Sequence, residues 1–438
     1  MADELAKEIM AVDYDTAFRP YLAKRIEQIE SADIVVGIPC YNNDSTIVNV
    51  LKQVSRGLAK HYKSARSVIM VSDGGSTDDT REIAREEEIM PWQEKVIFIY
   101  RGLSGKGTAL RAIFEAAEKL NVRACIVVDA DLRSITPDWV RYLLEPVIEK
   151  NYDFVAPNYC RYKYDGTITN NVAYNLTRSL YGKRVRQPIG GDFGFSRKTI
   201  QSYLSHNVWT TDVARFGIDI WLTTQAIANG FKVCQTNLGM KVHDPKDPAS
   251  SLGPMFRQVV WTLFTLMEQH FSVWKQIQSS EPVETFGAQE LLEPEPINVN
   301  QELLIQDFTL GFQHFGATWK QILSPESYAA IKKMANMDRK VFSLSAKSWA
   351  HILYEVATTF HRWSKDRAKL VDIISPLYEA RVASFINETV DMSTSESERV
   401  IEEQAEIFEK EKPYLLQAWD AGEKEPQAMG MLQKGLGV

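Results

Sequence analysis

Between Ile34 and about Lys275, short apolar runs alternate with longer segments in which apolar residues recur every three or four positions. The runs IVVGIPC (34–40), SVIMVSD (67–73), KVIFIY (95–100) and ACIVVDAD (124–131) are apolar almost throughout. A strand with one wet face would alternate, so these predict strands covered on both faces. Residues 45–62, 77–88, 106–120 and 136–150 carry helical spacing between them, and Thr136-Pro137-Asp138 supplies an N-cap, a first-turn proline and a first-turn acid. Parallel strands with crossover helices on both sides of the sheet are the expected α/β architecture.

Residues 276–298, QIQSSEPVETFGAQELLEPEPIN, are acidic, hold three prolines and lose periodicity, which predicts a linker. After it, 301–319, 325–335, 345–363, 369–392 and 395–419 read as helices. The expected organisation is an N-terminal helical extension (1–32), an α/β catalytic domain (33–275), the linker (276–298) and an α-helical domain (299–438) that frays from Gly422. Phe308, Phe312, Phe315 and Trp319 stripe the first of these helices, a pattern more typical of internal core than of a partner surface, although the helical domain is also the expected seat of a homodimer.

A formal charge of −7 removes any general basic field for nucleic acid or anionic membrane. The start, MADELAKEIM, lacks an apolar signal region, and the longest apolar run, near Val259–Met267, is too short for a bilayer, so a cytoplasmic chain without a membrane span is expected. Four cysteines without a CxxC pair argue against a zinc knuckle or a disulfide framework.

Candidate chemistry gathers at the predicted strand ends. Asp129-Ala130-Asp131 closes the fourth strand, where two carboxylates one residue apart can hold a divalent cation over the sheet crevice. A bare DxD is more often an ordinary loop, and its context decides. SDGGSTDDT (72–80) follows a strand and opens a helix, a helix-capping turn that also suits a nucleotide. GLSGKG (102–107) is a second glycine-rich turn whose Lys106 can meet phosphate while backbone N–H groups face the anion; it lacks P-loop spacing. His243 beside Asp131 would complete a metal sphere suited to Mg²⁺ or Mn²⁺. Asp219, an acid on an apolar helix, needs a partner or a cavity, unless it merely serves the helix dipole. Gly190-Gly191 can bring backbone close to a polar ligand, and Arg161, Lys163, Arg178, Lys183, Arg184 and Arg186 make the preceding stretch locally basic.

Taken in order, VVGIPCYNNDSTI, VSDGGSTDDT, GKGTAL, VVDADLRSITPDWV, QPIGGDFGFSR, GIDIWL and NLGMKVHDP resemble a glycosyltransferase of the GT-A fold, the Rossmann-like nucleotide-sugar-binding domain, over residues 33–275. The resemblance runs to the mannosylglycerate synthase and glucosyl-3-phosphoglycerate synthase families, and SPLYEARVASFINETV is similar to the helical domain of the former. It implies a retaining transfer of glucose or mannose from a UDP-, ADP- or GDP-hexose to a three-carbon acid, giving a compatible solute. By the same resemblance Pro39 and Asp73 line the base and ribose pocket, Lys106 reaches the donor, Asp129 faces sugar or ribose, and Asp131 and His243 bind the metal. Gly190 and Gly191 approach acceptor and sugar, and Asp219 is the active-site acid near the acceptor. Asn43 stands where the phosphoglycerate enzymes read the base with glutamate, leaving the nucleobase open. Those enzymes supply an arginine for the acceptor phosphate where this chain has Asp165-Gly166-Thr167-Ile168-Thr169; Arg161 and Thr169 match an acceptor pair instead, favouring D-glycerate. The alternatives are 3-phosphoglycerate as acceptor, with Lys163 or Arg186 as substitute cation, an inverting family 2 enzyme on another carbohydrate, and a non-catalytic sensor or scaffold.

Overall fold

The computed structural model describes residues 15–243, 252–288, 293–363 and 366–420; the expectations for the first 14 residues and for fraying from Gly422 lie outside them. In chain order the elements are α1 (Pro20–Ile29), β1 (Ile34–Cys40), α2 (Ile47–His61), β2 (Ser67–Asp73), α3 (Thr80–Glu86), β3 (Glu94–Ile99), α4 (Lys106–Lys119), β4 (Ala124–Val127), α5 (Pro137–Ile148) and β5 (Phe154–Cys160). Then follow a π-turn (Thr169–Ala173), α6 (Tyr174–Tyr181), β6 (Lys183–Arg184), β7 (Phe193–Ser196), α7 (Arg197–Leu204), α8 (Ile218–Ala228), β8 (Val233–Met240), α9 (Gly253–Gln269), α10 (Phe271–Trp274), β9 (Glu281–Pro282) and β10 (Glu284–Phe286). The helices α11 (Gln301–Ile322), α12 (Pro325–Met334), α13 (Ala346–Arg362), α14 (Arg367–Thr389) and α15 (Thr394–Asp420) complete the described residues. It divides into two compact units: Met1–Arg161, Val185–Asp244 and Pro282–Leu292 form the first, Tyr162–Arg184, Pro245–Glu281 and Glu293–Val438 the second.

The first unit is built on an eight-stranded sheet of order β10-β8-β5-β7-β4-β1-β2-β3. β1 pairs in parallel with β2 from Ile34↔Ser67 to Cys40↔Asp73, and with β4 on its other edge. The strand order therefore reverses at β1, and the crevice beyond the carboxyl ends of β1 and β4 is where ligands enter such sheets. On one face α2 and α5 bury Val50, Val54, Trp139 and Leu143 against Val36 and Ile126, each fully buried aliphatic side chain contributing roughly 1.5–3 kcal/mol. On the other, α4 lies so close that a Cβ on Gly37 would meet Ile113 at 2.6 Å.

One strand departs from the expected parallel order. β7 runs antiparallel between β4 and β5, entering the sheet after the π-turn, α6, β6 and the turn at Gln187–Gly190. FGFS is short, and Gly194 lets α5 sit over it, since a Cβ there would approach the Leu143 carbonyl to 2.5 Å.

Among the described residues the second unit has helices and no strand besides β6 and Glu281, the first residue of β9. Its α11 and α14 meet at Gly311, whose missing side chain leaves room for Pro376. The π-turn frees carbonyls that side chains then satisfy: Gln404 Nε2 donates to Asn170 O at 2.9 Å and Trp349 Nε1 to Asn171 O at 2.7 Å. Among the described residues no helix is long and apolar enough to cross a membrane.

Candidate active site

The loops at the carboxyl edge of the sheet are laced to one another. Asn42, at positive φ, donates its N–H to Ser76 Oγ at 2.9 Å and accepts from the Thr77 N–H, while the Asn43 N–H bonds Thr80 Oγ1 at 2.7 Å. Asp73 is fully buried, its carboxylate accepting the Gly75 and Ser76 N–H groups and the Ser76 hydroxyl, so it shapes the turn from within. Pro39 stands opposite Ser72 near the end of β1, half-buried. The 102–107 turn departs from expectation: the Gly105 N–H bonds Tyr100 OH and the Gly107 N–H bonds Arg215 O, so neither faces an anion. Gly107 is needed for packing, as a Cβ there would lie 1.8 Å from Val213 O.

That packing brings the start of α4 beside the segment leading into α8, and it delivers Lys106 to the crevice. Its ammonium donates to Asp129 Oδ1 at 2.8 Å, to Asp219 Oδ2 at 3.2 Å and to Gly191 O at 3.4 Å. The other Asp129 oxygen accepts from Lys241 at 2.9 Å, and Lys241 also holds Gly190 O and Asp192 Oδ2, each at 2.9 Å. Asp192 Oδ1 accepts the Asp129 N–H at 2.7 Å, and its Oδ2 takes the Tyr159 hydroxyl. Gly191, at φ +94°, lies against the Asp129 carboxylate, which a Cβ would meet at 2.2 Å. The sequence brings Lys106, Asp129, Gly190, Gly191 and Asp219 into one cluster.

Three carboxylates thus surround two ammonium groups. Burial opposes every charge here, yet Lys106 and Lys241 hold Asp129 well below the usual carboxylate range. Burial raises Asp192 and Asp219, against the pull of Lys241 and Lys106 respectively, and the Asp129 charge adds to the rise. Both lysines stay protonated: burial disfavours their charge, and the carboxylates more than reverse this. Asp219 Oδ1 is buried with no hydrogen-bond partner among the described residues, an acceptor open to a ligand hydroxyl.

Backbone bonds set the Asp131 turn beside the end of β8: the Arg133 N–H donates to Val242 O and the Val242 N–H to Ser134 Oγ, both at 2.9 Å. Asp131 and His243 are each half-buried there. Among the described residues no three His, Cys, Asp or Glu side chains converge as a metal cage. Arg161, the last residue of this stretch of the first unit, lies 5.2 Å from the Tyr159 ring centre. Thr169 opens the π-turn in the second unit and is buried. Sequence reasoning passed over Lys241, Asp192 and Tyr159. The first two stand inside quoted motifs, MKVH and GGDF, and an apolar-flanked lysine two residues before His243 was the available signal.

The fold is a mixed α/β sheet of the Rossmann-like GT-A type with a charged crevice at its carboxyl edge, and residues 35–204 match the family described as Glycosyl transferase family 2. An uncharacterized protein of Methanocaldococcus jannaschii is 30% identical over 130 residues, 30% of this chain and 47% of that protein; the chain thus matches about half the length of this curated relative. Glucosyl-3-phosphoglycerate synthase of Mycobacterium tuberculosis, solved with Mg²⁺ and UDP, superposes with a TM-score of 0.43 at 24% identity, over 55% of this chain and 83% of that one. The same enzyme with Mn²⁺, UDP-glucose and phosphoglyceric acid gives 0.42 at 23% identity, over 58% and 86%.

Proposed function

We propose that this protein is a retaining, metal-dependent hexosyltransferase that moves glucose or mannose from a nucleoside diphosphate sugar to D-glycerate. The observation that carries the reading is the Lys106 ammonium held between Asp129 and Asp219 beside Gly191, at the carboxyl edge of a family 2 domain. A diphosphate entering the crevice competes for Lys106, which is the less tightly enclosed of the two lysines. Asp219 Oδ1 then accepts a hydrogen bond from the acceptor hydroxyl and orients it for transfer. Pro39, Asn43 and Asp73 shape the nucleoside end, and Asp129, Gly190 and Gly191 the sugar end.

Asp131 and His243 are the residues that would hold Mg²⁺ or Mn²⁺. A two-residue donor set of one carboxylate and one imidazole fits an ion that takes its remaining ligands from diphosphate and water, and Asp129 is already engaged by two lysines. Such an ion supplies Lewis-acid neutralisation of charge on the departing diphosphate.

Two observations in the second unit favour glycerate over 3-phosphoglycerate. Thr167 is fully buried with its hydroxyl 2.7 Å from Tyr378 OH, so no cation stands at that position. Lys163, one of the two candidate substitutes, donates to the carbonyls of Thr389, Val390 and Met392 at and just beyond the end of α14. In the first unit, Arg161 would then hold the acceptor carboxylate. The test is product formation by mass spectrometry, with Mg²⁺ or Mn²⁺, each of UDP-glucose, ADP-glucose, GDP-glucose and GDP-mannose, and D-glycerate or 3-phosphoglycerate. A hexosylglycerate is expected; product from 3-phosphoglycerate alone would overturn the acceptor assignment, and none from either would overturn the reaction.

A further inference from the structure

The two lysines of the crevice are bound differently, and the difference assigns them different work. All three ammonium hydrogens of Lys241 have short acceptors, Asp129 Oδ2, Gly190 O and Asp192 Oδ2, each at 2.9 Å, and its side chain is 4% exposed. Lys106 has one short acceptor and two longer ones, and its side chain is 14% exposed. A saturated, buried ammonium has no donor left for a ligand; a loosely held one at the crevice mouth can exchange partners. Asp192 completes the distinction. It is 0% exposed, and both of its oxygens are engaged, by the Asp129 N–H on one side and by Lys241 and Tyr159 on the other.

We infer that Lys241 and Asp192 form a fixed clamp, with Tyr159 as its support, that holds the Asp129 carboxylate and the Gly190 carbonyl in place while Lys106 leaves Asp129 and Asp219 for the donor diphosphate. The inference rests on the glycosyl-transfer reading of this site and gives these two residues a positioning role. Without the clamp, departure of Lys106 would leave a buried Asp129 carboxylate uncompensated, and the carboxylate would turn away. With it, one Asp129 oxygen stays paired with an ammonium throughout, and of the two carboxylates that Lys106 leaves only Asp219 loses its ammonium partner altogether. Lys241 thereby serves turnover without contributing to donor affinity.

The experiment pairs binding with turnover. Calorimetric titration with UDP, ADP and GDP, each with MnCl₂, is run beside hexose transfer and thermal melting for wild type, K106M, K241M, K241R, Y159F and the double variant K241M/D192N. Expected for K106M is weakened nucleoside diphosphate binding. Expected for K241M is retained binding with turnover down on the order of 10²-fold, the scale of an ångström-level misplacement. K241R, which keeps a charge on the same stem, should recover part of the turnover, and Y159F should lose less than K241M. If K241M folds poorly, the double variant decides, since removing both charges avoids stranding Asp192: it should melt near wild type and remain slow. Wild-type turnover in a folded K241M/D192N, or loss of nucleotide binding in K241M equal to that in K106M, would overturn the clamp. Absence of nucleoside diphosphate binding by the wild-type protein would instead overturn the glycosyl-transfer reading, and the clamp with it.

Discussion

At Asp219 the two carboxylate oxygens meet different surroundings: Oδ2 faces the Lys106 ammonium at 3.2 Å, and Oδ1 is buried without a partner among the described residues. Burial raises this carboxyl above its ordinary value, Lys106 opposes the rise, and the Asp129 charge supports it. A group so raised is ionised only above its folded value. If the acceptor hydroxyl needs the ionised form, activity falls as pH drops through a point higher than that of an exposed aspartate. Asp219→Asn is expected to cost about 10²–10⁴-fold in turnover and to flatten that acid limb, with donor binding little changed. A pH–rate profile of both proteins checks this, and an unchanged limb in the variant would assign the titration to another group.

At the scale of elements, a buried acid on α14 makes a second pH prediction, concerning stability. Burial pushes Glu379 up to about 8, Asp307 on α11 adds to the rise, and the Ser375 hydroxyl opposes it. The folded chain then keeps a proton that the unfolded chain releases near the ordinary glutamate value. Stability from this group is therefore fully present below that value and is lost as pH rises through about 8. Glu379→Gln should match the wild type in urea unfolding at pH 4 and exceed it at pH 9 by about 1–3 kcal/mol, a figure reduced from the full linkage value for solvent screening. Much at this scale was legible beforehand. Strands β1 and β2 begin and end where their apolar runs do, and α11 to α15 fall within a few residues of their periodic segments, because a covered sheet and an amphipathic bundle both write burial into the local pattern. The antiparallel β7 was not legible, since four residues carry no directional signal. The candidate site was legible only as motifs. Lys106, Asp129 and Asp219 were readable from charge at strand and helix ends, whereas Lys241 and Asp192 act through partners far away in sequence, which periodicity does not report.

At the scale of the whole molecule, the units interleave: Tyr162–Arg184 leaves the first unit after β5, joins the helical unit, and the chain then returns. That excursion is buried and polar, and the helices after residue 300 satisfy it. Trp349 and Gln404 cap the π-turn carbonyls, Tyr378 meets Thr167, and the fully buried Arg178 guanidinium pairs with Glu402 at 2.6 Å and Glu409 at 2.9 Å. Each buried backbone group left without its partner costs about 1–3 kcal/mol, and an unpaired buried charge costs about 3–5 kcal/mol. Summed over this segment, that is comparable with the entire stability of an ordinary domain, about 5–15 kcal/mol. A chain cut at residue 298, in the acidic stretch that reads as a linker, would therefore keep the whole family 2 match, residues 35–204, and still strip the Asn171 carbonyl of Trp349 and the Arg178 guanidinium of Glu402 and Glu409. Expression of residues 1–298 beside the full chain, with soluble yield, near-ultraviolet circular dichroism and urea unfolding as readouts, is expected to give an insoluble or loosely packed product. A cooperative unfolding transition in the shortened chain would show instead that the excursion finds other partners, and that the C-terminal helices are dispensable to the sheet domain.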